Sequence, residues 1–153
     1  MFVEKEIEDK ICALVREALG GVDGVKVEGA WSQYAAGEVK GEVATADHAV
    51  VAVATGSPQF ESFTMTNADI PVALAVAVRR EIAPDGAALC NICAPLSALL
   101  LRWQGGDVQE LSTDNFRVDG VRLDSGDAPV FSPDNDVWTM ERAFTVRGAP
   151  TKK

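Results

Sequence analysis

Histidine is nearly absent from this chain, with one residue, His48, among 153. Any mechanism pairing a serine or cysteine nucleophile with an imidazole base has only that residue to use. Neither a nucleophile elbow nor a Gly-rich oxyanion loop accompanies it. Cationic residues are also scarce: 14 Lys and Arg stand against 23 Asp and Glu, a net charge of -9. That balance favours solubility and works against holding nucleic acid by phosphate neutralisation. No apolar run approaches the ~20 residues of a membrane-spanning helix. The longest candidate, Ile70 to Val78, is interrupted by Pro71 and closed by Arg79-Arg80. The opening MFVEKEIEDK is charged from Glu4, so no signal peptide is expected there. Three cysteines without an export signal fit a reducing cytoplasm. The stretch GGVDGVKVEG has glycines but neither the P-loop lysine-serine/threonine pair nor a dinucleotide fingerprint.

What remains is an ordinary globular balance, 47% hydrophobic and 24% charged. One domain is expected over residues 1–148, with a flexible tail at 149–153. Val3, Ile7, Ile11, Leu14 and Ala18 stack on one face and predict an amphipathic helix over 2–19, ended by Gly20-Gly21. Val22 to Lys26 reads as a turn and short strand, and 29–48 as a long excursion. AVVAVATG (49–56) reads as a buried strand, and QFESFTMTN (59–67) as a second strand or an ordered loop.

The clearest strand is IPVALAVAVRRE (70–81). Val72, Leu74, Val76 and Val78 share the face that wants a helix over it. Ala73, Ala75 and Ala77 make the other face small and flat, open to close approach by a second layer or another subunit, or simply packed under a loop. Leu89, Ile92, Cys93, Leu96, Leu99, Leu100 and Trp103 form the apolar stripe of a helix over 85–103. Asp85 is its natural N-cap, and Gly105-Gly106 ends it. Pro95 implies a kink, or a later start near Asn91. A short strand is expected at 116–123, a loop through SGDAPVFSPDND, and a closing strand at 137–147 with Trp138, Met140, Phe144 and Val146 inward. Gly148 to Lys153 reads as a frayed tail. The sum is α+β: a mainly antiparallel sheet with two helices packed on one face.

CNIC, Cys90 to Cys93, is the motif a scan would single out. A zinc site would need a second ligand pair, and the chain offers only Cys12 and His48. A redox dithiol would sit at a helix start after a strand, which the context allows. Yet Cys93 lies on the apolar stripe, the usual place of a small buried hydrophobe. The acidic stretch 124–136 lacks the ligand spacing of an EF-hand and its closing glutamate. No cofactor and no metal site is therefore expected.

The strand-like segments carry Arg79, Arg80, Arg117, Arg122, Arg142 and Arg147, which could gather on one polar sheet face. Facing the acidic loops of a neighbouring copy, they would make a head-to-tail contact of the kind that closes into rings. The candidate interface residues are Arg79, Arg80, Arg142, Arg147, Asp124, Asp127, Asp134 and Asp136. Ordinary cross-strand pairing within one chain is the competing use.

The order of elements, with IPVALAVAVRRE at its centre and a turn-rich stretch before DVWTMERAFTVRG at its end, resembles the tail-terminator (tail-completion, minor tail) proteins of long-tailed phages and prophages. The terminal strand has the form W-x-x-x-R-x-F-x-V. The resemblance implies a small α/β sandwich without enzyme activity, working as a hexameric ring that caps the tail tube and presents a surface to the head. Its partners would be itself, tail-tube proteins and head-connector proteins, with no sequence-specific nucleic acid and no membrane. It would be found in the host cytoplasm during assembly and then in the virion tail. The excursion 29–48 and the loop 124–136 depart from the pattern, and fit either interface arms or a different connector. The other readings are another head–tail connector, an α+β adaptor domain, or, more remotely, a thiol- or zinc-dependent enzyme using CNIC.

Overall fold

The computed structural model describes residues 3–20, 22, 24–29, 49–60, 67–80, 87–126, 129–133 and 136–151. The first helix, α1, runs Val3–Ala18. Ile7, Ile11 and Val15 on its inward face are fully buried, following the four-residue spacing. Strands β1 (Val25–Gly29), β2 (Ala49–Thr55), β3 (Gln59–Phe60) and β4 (Ala68–Arg79) come next. The second helix, α2 (Ala87–Gln104), and a 3-10 turn (Gln109–Leu111) precede β5 (Phe116–Gly126), β6 (Val130–Ser132) and β7 (Val137–Pro150).

The strands form one sheet in the order β1-β2-β4-β7-β5, with β3 on β4 and β6 on β7. β1 pairs parallel with β2, and every other pairing is antiparallel. Both helices lie on one side, the expected α+β arrangement. Val72, Leu74, Val76 and Val78 of β4, Val51 and Val53 of β2, and Met140, Phe144 and Val146 of β7 form the floor of the core. Leu89, Ile92, Leu96 and Trp103 of α2 close it from above.

Several boundaries differ from the sequence reading. The Asp119-Gly120 turn signal does not turn the chain. The register of β5 against β7 instead skips a residue between Val118 and Gly120, and again between Leu123 and Ser125. The extra residues are absorbed as β-bulges, so the strand continues to Gly126 rather than ending at 123. Part of the expected loop is β6, with Phe131 opposite Trp138. The tail reading fails for Gly148 to Pro150, which pair with Val118 to Phe116 and extend β7. A side chain at Gly148 would meet the carbonyl of Arg117 and the ring of Phe116, so glycine lets the edge strand close in there.

α2 takes the longer of its two expected forms, with Pro95 inside it. It ends through Gly106, whose φ of 107° suits glycine, while Gly106 N–H donates to Trp103 O at 3.0 Å. Asp85, His48 and the excursion beyond Gly29 lie outside the described residues.

Candidate interaction surface

Antiparallel register partners project to the same side of a sheet. The pairing therefore defines the face away from the helices. Ala73, Ala75 and Ala77 of β4 lie there, with Ala52 and Ala54 of β2 on one flank and Thr139, Glu141 and Ala143 of β7 on the other. The alanines are half-buried, and Val50 and Val137 on the same face are buried. Near the β6 end this face sinks into a depression of about 340 Å3 lined by Ala75, Ala77, Thr139, Glu141 and Val130. Val130 stands opposite Thr139 and forms its wall.

Charge collects toward the rim of this face, in pairs belonging to one chain. Lys26 meets Glu28 at 2.9 Å, Arg122 meets Asp124 at 2.8 Å and Arg117 meets Asp119 at 3.3 Å. Arg147 lies 3.8 Å from Asp69. Asp124 also accepts a 2.5 Å hydrogen bond from the Thr145 hydroxyl. That bond and the Arg122 guanidinium hold its carboxyl below the usual aspartate value.

The interface residues expected from the sequence are distributed as follows. Arg79 ends β4 on the alanine face. Arg80 follows it and forms a 3.1 Å ion pair with Asp136 of its own chain. Its backbone N–H also donates to Asp136 O at 3.0 Å. Arg147 and Asp124 are on the alanine face, whereas Arg142 is not. Arg142 lies opposite Leu74 and Gly126, on the helix side, with Cys93 in reach of its charge. The six arginines therefore do not share one face. Asp127 and Asp134 lie outside the described residues.

The cysteines do not converge. Cys12 on α1 is buried, and burial pushes its thiol up to about 11. Cys90 is exposed on α2 and Cys93 half-buried, its thiol raised by desolvation against the pull of Arg142. Among the described residues no three of His, Cys, Asp and Glu come together as a metal site. No described helix is long and apolar enough to cross a membrane. The buried Glu8 plays a structural part. Its carboxyl accepts the Thr55 N–H at 3.1 Å, and the Thr55 hydroxyl donates to Glu4 O at 2.9 Å. Together they fasten α1 to β2.

Two residues passed over by the sequence reading stand out. Leu101 on α2 is 64% exposed and Val130 on β6 is 57% exposed, the large apolar side chains left in solvent among the described residues. Leu101 was legible as the leucine that falls off the buried stripe. Val130 sat in a segment read as loop.

The chain matches no protein-family model and no curated protein. Its fold is similar to that of a chain in the virion of a native gene transfer agent particle, with a TM-score of 0.51 at 15% identity. The likeness is one of fold. It covers 97% of this chain and 95% of that one, so the two architectures correspond nearly end to end.

Proposed function

We propose that this chain is a non-enzymatic structural protein of a phage-like particle, of the tail-terminator type. Copies would form a closed ring, of six as the family resemblance implies, that caps the tail tube, stops its growth and meets the head connector. The observation that carries this reading is the near end-to-end likeness of fold to a chain of a gene transfer agent virion. The order of elements in the sequence supports it independently. The net charge of -9 suits a ring through which DNA must slide without being held. In this reading the chain is made in the bacterial host cytoplasm and ends in the virion tail.

Native mass spectrometry of the purified protein, followed by electron microscopy after mixing with tail tubes, tests the reading. A metal-free closed ring, alone or on a tube end, is the expected result. A monomer carrying one zinc ion, or a monomer that leaves tubes bare and growing, overturns it.

A further inference from the structure

We propose that Cys90 and Cys93 form a dithiol site that reacts with small-molecule disulfides of the glutathione class and closes into an intrahelical disulfide. The chemistry belongs to the single chain, so it stands or falls apart from the ring reading.

The pair sits in the first two turns of α2. Three residues apart on a helix, two Cα atoms are separated by about 5 Å, inside the ~4.4–6.8 Å range that a disulfide spans. The Cβ atoms start ~5–6 Å apart and must close to about 3.8 Å, so the turn has to tighten. Pro95 loosens the helix at that place. It offers no N–H to the carbonyl of Asn91, which lies between the two cysteines, so the turn lacks one of its tethers.

The two thiols differ in the way such an exchange needs. Cys90 is exposed, with exposed Asn91 and Ala94 near it in sequence, and Cys93 is half-buried. α2 has no acidic residue, so an anionic disulfide meets no carboxylate from the helix that carries the site. Burial raises the Cys93 thiol, the Arg142 charge lowers it, and Cys90 raises it, which places the two sulfurs within electrostatic reach of each other. Cys12 is buried on α1, its thiol pushed up to about 11, and is kept out of the exchange.

In the first step the Cys90 thiolate attacks one sulfur of the small disulfide. The S–S bond of that molecule breaks, a mixed disulfide forms on Cys90, and one small thiolate leaves and takes up a proton. In the second step the Cys93 thiolate attacks the Cys90 sulfur, a turn away, and expels the second small thiolate. The two cysteines lose two electrons and two protons, and the small disulfide gains them as two thiols. The pair is therefore a dithiol in a reducing compartment and a disulfide in an oxidising one.

The test incubates the reduced full chain with oxidised glutathione, blocks the remaining thiols, and reads intact mass and a peptide map. The parent chain should lose two hydrogens, carry no glutathione and show a Cys90–Cys93 link. Cys93→Ser, checked for folding by circular dichroism, should stop with one glutathione on Cys90. Cys90→Ser should react on the order of tenfold or more slowly than the parent. A parent chain that keeps glutathione on either cysteine, links one of them to Cys12 or to a second copy, or stays fully reduced overturns the site. A Cys93→Ser chain that takes up no glutathione, or takes it up elsewhere, overturns Cys90 as the attacking thiol.

Discussion

Phe144 sits in the middle of β7 with no exposed surface, its ring 6.1 Å from that of Trp103 on α2. Trp138, six residues earlier on the same side of the strand, is only half-buried and rests on Phe131 at 5.2 Å. The distinction sets the cost of losing each. Phe144→Ala should destabilise the protein by about 3–5 kcal/mol, as for a buried aromatic. Trp138→Ala should cost less, roughly 1–2 kcal/mol, because part of its surface is already in water. Urea midpoints measure both, and equal losses would count against the packing assigned here. Asp124 supplies a pH dependence. Its carboxyl is held below the aspartate value of 3.8 by Thr145 and Arg122, so the folded state favours the charged form. That contribution is fully present above the unfolded value and is lost as pH falls through the folded one. Asp124→Asn should therefore flatten the fall of stability below about pH 4, read as urea midpoints across an acid series. An unchanged acid limb would show that the hydroxyl and guanidinium do not hold this carboxyl.

At the scale of elements, α1 is fastened by the buried Glu8 as well as by its apolar stripe. Glu8→Ala strips the Thr55 N–H of its acceptor inside the core and should cost about 1–3 kcal/mol. Hydrogen exchange at Thr55 should quicken more than exchange along β4, whose amides are tied to strands on both sides. Uniform loss of protection would mean that α1 is held chiefly by packing. The other helix carries a defect. Pro95 removes the amide that would bond to Asn91 and crowds that carbonyl, a penalty of up to ~3 kcal/mol in a helix interior. Pro95→Ala should raise the thermal midpoint, and an unchanged or lower midpoint would overturn the reading of Pro95 as a net defect. The edge strand β5 is treated differently again. Its two bulges keep Val118, Val121 and Leu123 turned to the core while breaking the regular ladder that another chain could extend.

Among the described residues both helices pack on one side of the sheet, on a chain with net charge -9. Association between identical acidic copies should strengthen with ionic strength, because salt screens the repulsion that opposes it. Sedimentation velocity at low and high salt checks this. Assembly that weakens with added salt would point to an interface built on the arginine–aspartate pairs instead. Those pairs are already satisfied within one chain at Arg80–Asp136 and Arg122–Asp124. Exchanging them for intermolecular pairs would gain little net energy at an exposed surface.

The sequence by itself determined the types of α1, β2, β4, α2 and β7, the inward faces of α1, β4 and β7, and the α+β class. Each rests on local periodicity, and the spacing of Ile7 and Ile11 or of Val72 and Leu74 leaves only one way to bury them. It also marked the alanine face as small and flat. Only the tertiary structure decided that Asp119-Gly120 is a bulge and that Gly148 to Pro150 belong to the sheet. Each of these depends on which strand lies alongside, and pairing partners far apart in sequence leave no local trace. The same holds for the surface of interest. Leu101 and Val130 are ordinary residues in the sequence, and only the packing leaves both in solvent, one on the helix layer and the other on β6.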